Sequence, residues 1–372
     1  MATRIVVVGG GIGGLAVAAA LGRRGMRCLV LERGPAPAVA GGGIQIAPNG
    51  AAVLHRLGLA GDLASAVRPA ARELRRWRDD TPVGTVPLGA DAQRRYGSPY
   101  YALRRSELCR MLLGAAHRHA EVRLNTPCTA VEDLGDRAAV LLADGSRLTA
   151  DLVIGADGLR SVVRRTVVAD PLRYSGYTVY RGLAPARRLP RHGDRVIVRL
   201  GPGRHCVSYP VDGGHTINVV AVAAAATPAR AAREVPAAEV LGQFAGWHPA
   251  VRALLAAAHR FDRHGLYDRS RPAWRRGRVV LLGDAAHPLL PFLAQGACQA
   301  LEDAVALAEA GLTGYEEQRA PRRARVAAAS LAGARTLHLA DGPEQAERDD
   351  QLGKAELPGH DWLYGHGSAA RS

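Results

Sequence analysis

The N-terminal segment has the pattern of a strand, a glycine-rich turn, a helix and a second strand. Residues 4–9 read RIVVVG, an Ala- and Leu-rich stretch continues to about Arg24, and residues 26–33 read MRCLVLER. Apolar runs of this length on either side of a helical stretch are typical of buried parallel strands joined by a crossover helix. The segment therefore predicts a Rossmann-like α/β domain with a parallel sheet.

The glycines after the first strand predict a dinucleotide site. Gly9, Gly11 and Gly14 form a G-x-G-x-x-G spacing, and Gly13 lies within it. The first glycine permits a tight turn, the second lets the backbone approach a pyrophosphate, and the third lets the helix pack on the strand. The N-terminus of the helix adds N–H donors and a positive dipole end. A turn required only for packing is the alternative.

Glu32 ends the second strand, 18 residues after Gly14. An acid at this place hydrogen-bonds an adenosine ribose and repels a 2′-phosphate, so we do not expect NADP to be the nucleotide held here. We assign Arg33, the next residue, to the same site. The motif does not separate FAD from NAD.

A second turn of this kind lies some 270 residues later. Asp284 follows the apolar run VVLLG, and Gln295-Gly296-Ala297 opens another helix. A carboxylate at a strand end can accept hydrogen bonds from a polyol chain, and free helix N–H groups can meet a partly negative ring oxygen. A flavin has both features, whereas NAD has neither. The alternative is an ordinary turn in which the aspartate caps the helix.

The middle of the chain has a different character. From Tyr174 to about Ala223 short alternating segments are separated by the turns GPG and DGG, which predicts an antiparallel sheet. Residues 277–287 again have the pattern of a buried parallel strand followed by a turn. We expect an α/β fold in which a substrate domain with an antiparallel sheet is inserted into the FAD-binding domain, with helices at the C-terminal end.

Composition excludes several classes. The 372 residues contain no apolar run near the roughly 20 residues that span a bilayer, and the N-terminus is not a signal peptide. Five scattered cysteines without a CxxC suggest reduced thiols in the cytoplasm and no metal site. The net charge of +15 comes from arginines spread along the chain. We interpret it as a solvated surface that favours anionic ligands, with no nucleic-acid or membrane partner.

Three blocks in order resemble the class A flavoprotein aromatic hydroxylases, the single-component FAD monooxygenases that include salicylate hydroxylase-like enzymes. They are the glycine fingerprint with Glu32, GADGLRSVVR (residues 155–164) and GDAAHPLLPFLAQGACQALEDA (residues 283–304). The resemblance covers roughly residues 4–325. PNGAAVLHRLGL and FAGWHPAVRALLAA are similar to the branch with urate, hydroxynicotinate and salicylate hydroxylases, and the Ala- and Arg-rich composition is similar to high-GC actinobacteria.

The resemblance implies roles for particular residues. Asp157 and Gly158, supported by Arg164, would serve FAD and the nicotinamide. Asp284 would hold the ribityl chain and the backbone of Gly296 and Ala297 the flavin N1/O2 edge. Further implied cofactor contacts are Arg105, with Arg104 as the alternative, Gly43, Ile44, Val131 and Pro291. One position departs from the family: the usual GQG is Ala294-Gln295-Gly296, and the added methyl could bias movement of the flavin ring.

The family chemistry implies FAD as cofactor, NADH or NADPH as a transient reductant, and O2. Oxygen on the reduced flavin would give a C4a-hydroperoxide that attacks an electron-rich ring of a small aromatic or heteroaromatic substrate. An oxidase, epoxidase or halogenase-like enzyme on the same scaffold is the alternative, although the halogenase WxWxIP signature is absent. A binding protein without catalysis is the third reading.

The antiparallel sheet is expected to carry the substrate site. In RHCVSYPV, His205, Val207 and Tyr209 share one face by the period of 2. His205 and Tyr209 are the candidate catalytic residues, because they could bind and deprotonate a ring hydroxyl; a half-solvated strand face is the alternative. Arg181 could pair with a substrate carboxylate, or lie at the surface. Pro291 and Phe292 are expected to wall the pocket.

The comparison with urate hydroxylases argues against urate. Aligned on Pro210, their substrate-reading arginine falls at His205 and their active-site tyrosine at Ile217, which we include as a candidate substrate contact. We assign His287 a structural role. Residues 1–72, 101–171 and 266–340 are expected to form the FAD-binding domain, residues 73–100 and 172–265 the substrate domain, and residues 341–372 a polar, loosely packed tail. The oligomer is expected to be a monomer or a homodimer.

Overall fold

The computed structural model describes residues 3–36, 42–189, 192–228 and 233–367. The strands are β1 (Ile5–Val8), β2 (Cys28–Leu31), β3 (Gly43–Ile46), β4 (Ala71–Arg76), β5 (Pro82–Pro87), β6 (Tyr101–Arg104), β7 (Ala120–Arg123), β8 (Cys128–Asp133), β9 (Ala138–Leu142), β10 (Arg147–Ala150), β11 (Leu152–Gly155), β12 (Arg173–Pro185), β13 (Arg195–Gly201), β14 (Arg204–Val211), β15 (Thr216–Ala224), β16 (Arg233–Pro236), β17 (Arg260–Asp268), β18 (Arg275–Arg276) and β19 (Val279–Leu281). The α-helices are α1 (Ile12–Arg23), α2 (Pro48–Arg56), α3 (Gly89–Tyr96), α4 (Arg105–His117), α5 (Arg164–Val167), α6 (Ala237–Gln243), α7 (Pro249–Ala257), α8 (Gly296–His338), α9 (Pro343–Gly353) and α10 (Asp361–Tyr364).

A six-stranded sheet forms the nucleotide-binding half, in the order β18-β19-β11-β1-β2-β7. Its five neighbouring strands from β19 to β7 run parallel, and only β18 is antiparallel to its neighbour. The side chains of β1 are buried on both faces, which is why this strand is a continuous Ile/Val run. Parallel strands end at the same edge, so the turns after β1, β2, β11 and β19 meet there.

An eight-stranded sheet forms the second half, in the order β16-β17-β12-β15-β14-β13-β4-β5. All its pairs are antiparallel except β13 with β4. The sequence pattern anticipated the meander β13-β14-β15. Strands β4 and β5 lie about a hundred residues earlier in the chain, and nearly all of both falls within residues 73–100, which we assigned to the substrate domain.

The long helical segment α8 joins both halves. It begins at Gly296, is interrupted at Gly311 (φ 67°, ψ −169°) and ends at His338. Its first part packs against α1 and α2, and its later part lies against β13 and β14. The same segment therefore contributes to the cofactor end and to the substrate end of the molecule.

The C-terminal tail is packed, so the expectation of a loosely packed appendix is wrong for residues 341–367. Leu357, Leu363 and Tyr364 are buried, and the Arg322 guanidinium donates hydrogen bonds to the carbonyl oxygens of Trp362 (2.6 Å) and Leu363 (2.8 Å). These few apolar and aromatic residues, dispersed among polar ones, give no periodic signal. Residues 368–372 of the predicted tail lie outside the described residues.

The described part of the chain shows neither a helix long and apolar enough to cross a bilayer nor a cluster of three metal-ligating side chains. All five cysteines are free thiols.

Candidate active site

A single cavity of about 1050 Å³ extends from the edge of the parallel sheet to the face of the eight-stranded sheet. Glu32 and Asp284 both line it, although more than 250 residues separate them in the chain. The predicted cofactor residues that line the cavity are Gly9, Gly11, Gly13, Glu32, Arg33, Gly43, Ile44, Arg105, Asp157, Asp284, Pro291, Gly296 and Ala297. The predicted substrate residues that line it are Arg181, His205, Tyr209, Pro291 and Phe292.

The glycines in the turn after β1 differ in how much space the structure leaves for a side chain. Gly9 has φ +110°, and a Cβ there would lie 2.5 Å from the carbonyl oxygen of Ala156. A Cβ on Gly14 would collide with the carbonyl oxygen of Gly9, so this glycine serves helix packing and does not line the cavity. A Cβ on Gly11 would meet no atom within 4 Å. The backbone around Gly11, at the N-terminus of α1, is therefore open to a ligand.

Glu32 is held in place by two backbone donors. Its carboxylate accepts hydrogen bonds from the N–H groups of Gly10 (2.7 Å) and Gly34 (2.8 Å). Because both bonds come from the flanking loops, the carboxylate is fixed while it still faces the cavity. This geometry suits recognition of a hydroxyl-bearing ligand by the remaining lone pairs.

Asp284 is a carboxylate deep in the protein that is exposed only because the cavity reaches it. Burial raises its pKa, and the positive charge of Arg105 opposes this effect. Among the described residues, its side chain accepts no hydrogen bond. A carboxylate that opens onto the cavity without a protein partner is free to accept hydrogen bonds from a ligand there.

The turn before α8 holds the helix N-terminus toward the cavity. Gly296 and Ala297 begin the helix, and a Cβ on Gly296 would meet nothing within 4 Å. Ala294 adopts a left-handed conformation (φ 52°, ψ 36°), which a glycine would adopt without strain. Asn49 Nδ2 donates to Gln295 Oε1 at 2.9 Å and so anchors the turn to α2.

The turn at Asp157 and Gly158, which follows β11, is held in place by hydrogen bonds to its own side chains and backbone. The Asp157 carboxylate accepts from Ser161 Oγ (2.5 Å) and from the N–H of Val162 (2.7 Å). The buried Arg164 donates to the carbonyl oxygens of Ala285 (2.9 Å) and Ala286 (2.6 Å). The two turns that flank the cavity are therefore tied together directly.

The structure gives Arg104 and Arg105, which are neighbours in the chain, different partners. Arg104 Nε donates to both carboxylate oxygens of Asp212 at 2.6 Å and does not line the cavity. Arg105 lines the cavity and acts electrostatically on Asp284. Of the two, Arg105 is therefore the one available to a ligand in the cavity; the resemblance implied Arg105, with Arg104 as the alternative.

Gly43 lies where β3 approaches the eight-stranded sheet. A Cβ there would lie 2.8 Å from Tyr209 Cε2 and 2.8 Å from Asn218 Cβ, and the Gly43 N–H donates to Asn218 Oδ1 at 2.5 Å. Only glycine permits this approach. Asn218 was not among the predicted residues, because a lone amide in a Val-rich strand carries no sequence signal.

At the substrate end, His205 and Tyr209 project from β14 into the cavity on either side of Val207. His205 Nδ1 lies 2.7 Å from Nε2 of His338 at the end of α8. Burial lowers the pKa of His205 well below its ordinary value and that of His338 to about 4, so both rings are neutral at pH 7. Burial also raises the pKa of Tyr209, which stays protonated.

Two side chains beyond the prediction complete this region. Tyr100 donates a hydrogen bond from its hydroxyl to Gln45 Oε1 at 2.8 Å, and Gln45 partly offsets the rise that burial causes in the pKa of Tyr209. All three line the cavity. The alternation of Ile44, Gln45 and Ile46 in β3 is the only signal in the sequence that could have pointed to Gln45.

Two arginines face the cavity from different strands. Among the described residues, Arg181 on β12 forms no ion pair. Burial lowers its pKa, whereas the neighbouring Tyr209 and Asp262 favour its charged form. Among the described residues, the hydrogen-bonding partners of the Arg72 guanidinium on β4 are neutral: its Nη2 lies 2.6 Å from His360 Nε2 and its Nη1 3.5 Å from the Tyr364 hydroxyl. Neither guanidinium binds a carboxylate within the described chain.

Two predicted site residues have other positions, and His287 has the structural role assigned to it. Ile217 is buried in the cluster on the opposite face of the sheet, because it alternates along β15 with Val220 and Val222, which line the cavity; its assignment to the substrate contacts is corrected. Val131 lies in the core beneath the three-stranded sheet β10-β9-β8, so its side chain does not line the cavity either. His287 Nε2 lies 2.7 Å from Asp303 Oδ2 in a buried pair, which is a structural role.

Comparisons of the sequence and of the structure with known proteins agree on one family. A family model described as "FAD binding domain" matches residues 2–326. The 3-amino-4-hydroxybenzoate 2-monooxygenase of Streptomyces cremeus is 45% identical, over 97% of this chain and 95% of the relative. The 3-hydroxybenzoate 6-hydroxylase 1 of Aquipseudomonas alcaligenes is 36% identical, over 98% of each. The crystal structure of Klebsiella pneumoniae HpxO with FAD and uric acid has a TM-score of 0.86 at 28% identity, covering 99% of this chain and 97% of the other.

The residues present fit FAD. The fixed carboxylate of Glu32 after β2, the open backbone at Gly11 after β1 and the unpartnered carboxylate of Asp284 after β19 lie along one cavity, in the order in which an adenosine ribose, a pyrophosphate and a ribityl chain need partners. When bound, FAD supplies the redox chemistry, accepting a hydride from NAD(P)H and activating oxygen. The chain belongs to the FAD-binding-domain family, and it is an FAD-dependent monooxygenase that hydroxylates a small aromatic substrate.

Proposed function

We propose that the substrate is a benzoate that carries a ring hydroxyl, with 3-amino-4-hydroxybenzoate as the first candidate. Three relatives between 42% and 45% identical carry the name 3-amino-4-hydroxybenzoate 2-monooxygenase, and each match spans nearly the whole chain. The 3-hydroxybenzoate hydroxylases share the same two groups on their named substrate, a carboxylate and a ring hydroxyl.

One observation carries this proposal: Arg72 and Arg181 both line the substrate end, and neither binds a carboxylate among the described residues. A guanidinium removed from water is favourable only with an anionic or strongly accepting partner. A substrate carboxylate provides that partner, and a neutral phenol does not.

For the ring hydroxyl we propose His205 and Tyr209 as the contacts. His205 uses Nδ1 for the contact with His338, so its Nε2 remains for the substrate. A neutral imidazole can accept the hydrogen bond of a phenol hydroxyl and assist loss of its proton in the transition state, which makes the ring more electron-rich. The protonated Tyr209 hydroxyl can donate a hydrogen bond to the resulting oxygen anion.

For the cofactor we propose that Glu32 binds the adenosine ribose, Asp284 the ribityl chain, and the N-terminus of α8 the flavin ring edge. Arg105 would then stabilise negative charge close to Asp284. These assignments rest on the positions of the four groups along one cavity.

The test is product analysis. Purified protein with bound FAD is incubated in air with NADH or NADPH and with 3-amino-4-hydroxybenzoate, 3-hydroxybenzoate or 6-hydroxynicotinate, and the product mass is measured. The proposal predicts a gain of one oxygen atom with the first compound. Oxidation of NAD(P)H without an oxygenated product for any aromatic acid would instead favour an oxidase and contradict the proposal.

We further propose that the protein uses O2 in the cytoplasm, as a monomer or homodimer. The requirement for NAD(P)H and the five free thiols support a reducing compartment. Light scattering on the purified holoenzyme tests the oligomeric state.

A further inference from the structure

The C-terminal segment forms part of the cavity wall at the end lined by β4 and β13. Leu352 of α9 lines the cavity together with Leu74, Val196 and Val198 from the eight-stranded sheet. A Cβ on Gly84 would collide with the carbonyl oxygen of Leu352, so the helix lies directly on β5. The Arg76 Nε donates to Asp349 Oδ2 at 2.7 Å and fixes α9 to β4.

Arg72 projects into this end from β4. Residues His360 and Tyr364 of the C-terminal segment hold two of its guanidinium nitrogens, and its Nε is buried without a partner. The pKa of His360 is lowered to about 4 by burial and by the charge of Arg72. The histidine is therefore neutral at pH 7, and it fixes the direction of the guanidinium without neutralising its charge.

The nearest acid in the strand cannot neutralise Arg72. Glu73 is the next residue of β4, so its side chain points to the opposite face of the sheet, where it pairs with Arg75 (2.7 Å) and Arg195 (3.0 Å). Arg181 differs, because Asp262 is its register partner on β17 and favours its charge. Arg72 is thus the less compensated of the two cations.

We propose that Arg72, positioned by His360 and Tyr364 of the C-terminal segment, binds the carboxylate of the substrate. The inference rests on the proposed function and deepens it, since it assigns the anion-reading residue. Leu74, Val196 and Leu352 would pack around the ring, and the planar guanidinium would meet the carboxylate.

The experiment compares an acid with its neutral isostere. Dissociation constants of 3-amino-4-hydroxybenzoate and 3-amino-4-hydroxybenzamide are measured from the absorbance change of the bound FAD in the wild type, Arg72→Gln, Arg181→Gln and Arg195→Gln. Arg195 is the matched control, because it lies in the same sheet but pairs with Glu73 on the other face. We expect the wild type to prefer the acid by about 10- to 100-fold, as expected for a charged hydrogen bond.

Arg72→Gln is expected to lose most of this preference, while Arg181→Gln and Arg195→Gln keep it. The proposal is wrong if Arg72→Gln retains the wild-type preference within about twofold, or if Arg181→Gln alone abolishes it. A wild type that does not prefer the acid would contradict the proposed function as well. FAD content confirms that each variant is folded.

Two further variants test the positioning role. His360→Ala leaves Arg72 in place but frees its guanidinium, so we expect weaker binding of the acid and unchanged binding of the carboxamide. Arg72→Lys keeps the charge without the planar fork and is expected to restore part of the preference that Arg72→Gln loses. Equal weakening of acid and carboxamide by His360→Ala would show a merely structural role and overturn the positioning claim.

Discussion

Glu32 and Asp284 follow the carboxyl ends of β2 and β19, two strands that are separated in the sheet only by β11 and β1, and both carboxylates face one cavity. With strands spaced roughly 4.8 Å apart, the two turns lie some 14 Å apart across the sheet. This separation suits an extended dinucleotide that contacts one carboxylate at each end of its diphosphate.

Removal of either carboxylate is expected to weaken FAD binding. Glu32→Gln and Asp284→Asn each replace a charged hydrogen-bond acceptor, so we expect the dissociation constant of FAD to rise about 10-fold or more. FAD release is measured by its fluorescence after dilution. Glu121→Gln at an exposed position is the control. Unchanged retention in Asp284→Asn would contradict the ribityl assignment.

The left-handed residue Ala294 gives a prediction about strain. An alanine at φ 52° costs about 1 kcal/mol relative to the right-handed region, and glycine removes this cost. Ala294→Gly is therefore expected to keep or raise the melting temperature. The same substitution at Ala328, exposed in the middle of α8, is expected to lower stability by about 1 kcal/mol. Equal destabilisation by both changes would show that Ala294 is not strained.

His205 and Tyr209 are expected to affect chemistry more than cofactor binding. His205→Gln removes a proton acceptor and Tyr209→Phe removes a donor, so we expect kcat/KM to fall about 10- to 100-fold with each. For His205→Gln the remaining activity should rise with pH, because the substrate hydroxyl then loses its proton to solvent. A pH profile parallel to that of the wild type would argue that His205 only lines the pocket. FAD content is the control.

Several buried histidines predict loss of stability in mild acid. The pKa values of His264, His338 and His360 are lowered to about 4, chiefly by burial. Between pH 6.5 and 4 the unfolded chain binds protons that the folded chain does not, so stability is complete above pH 6.5 and falls as the pH decreases through this window. Melting temperatures across the range measure the effect. His264→Asn should reduce the slope, whereas a change at the exposed His117 should not.

The C-terminal segment predicts a stability effect of its own. Tyr364 is 3% exposed and packs edge-on against Tyr96 and Tyr100, with ring centroids 5.6 and 6.1 Å away. Tyr364→Ala is expected to cost about 3 kcal/mol in the free energy of unfolding, as for other large buried rings. Tyr364→Phe keeps the packing and should cost much less. Denaturant titration measures both, and a negligible effect of Tyr364→Ala would contradict tight packing of the segment.

Local patterns in the sequence determined the parallel βαβ unit, the glycine turn, Glu32 and the turn at Asp284. Each of these is encoded within a few consecutive residues, because a buried parallel strand must be apolar and the turn after it must be glycine-rich wherever a phosphate approaches. The period of 2 in β14 likewise placed His205, Val207 and Tyr209 on one face.

Only the tertiary structure decided which distant residues meet. Arg72, Gln45 and Leu352 reach the cavity because β4, β3 and α9 dock against strands from elsewhere in the chain, and no local pattern records such pairings. The same applies to Ile217, which the alternation of β15 turns away from the site, and to the contact of His205 with His338. Periodicity fixes the face of a residue within its own element, whereas the partner of that face depends on long-range packing.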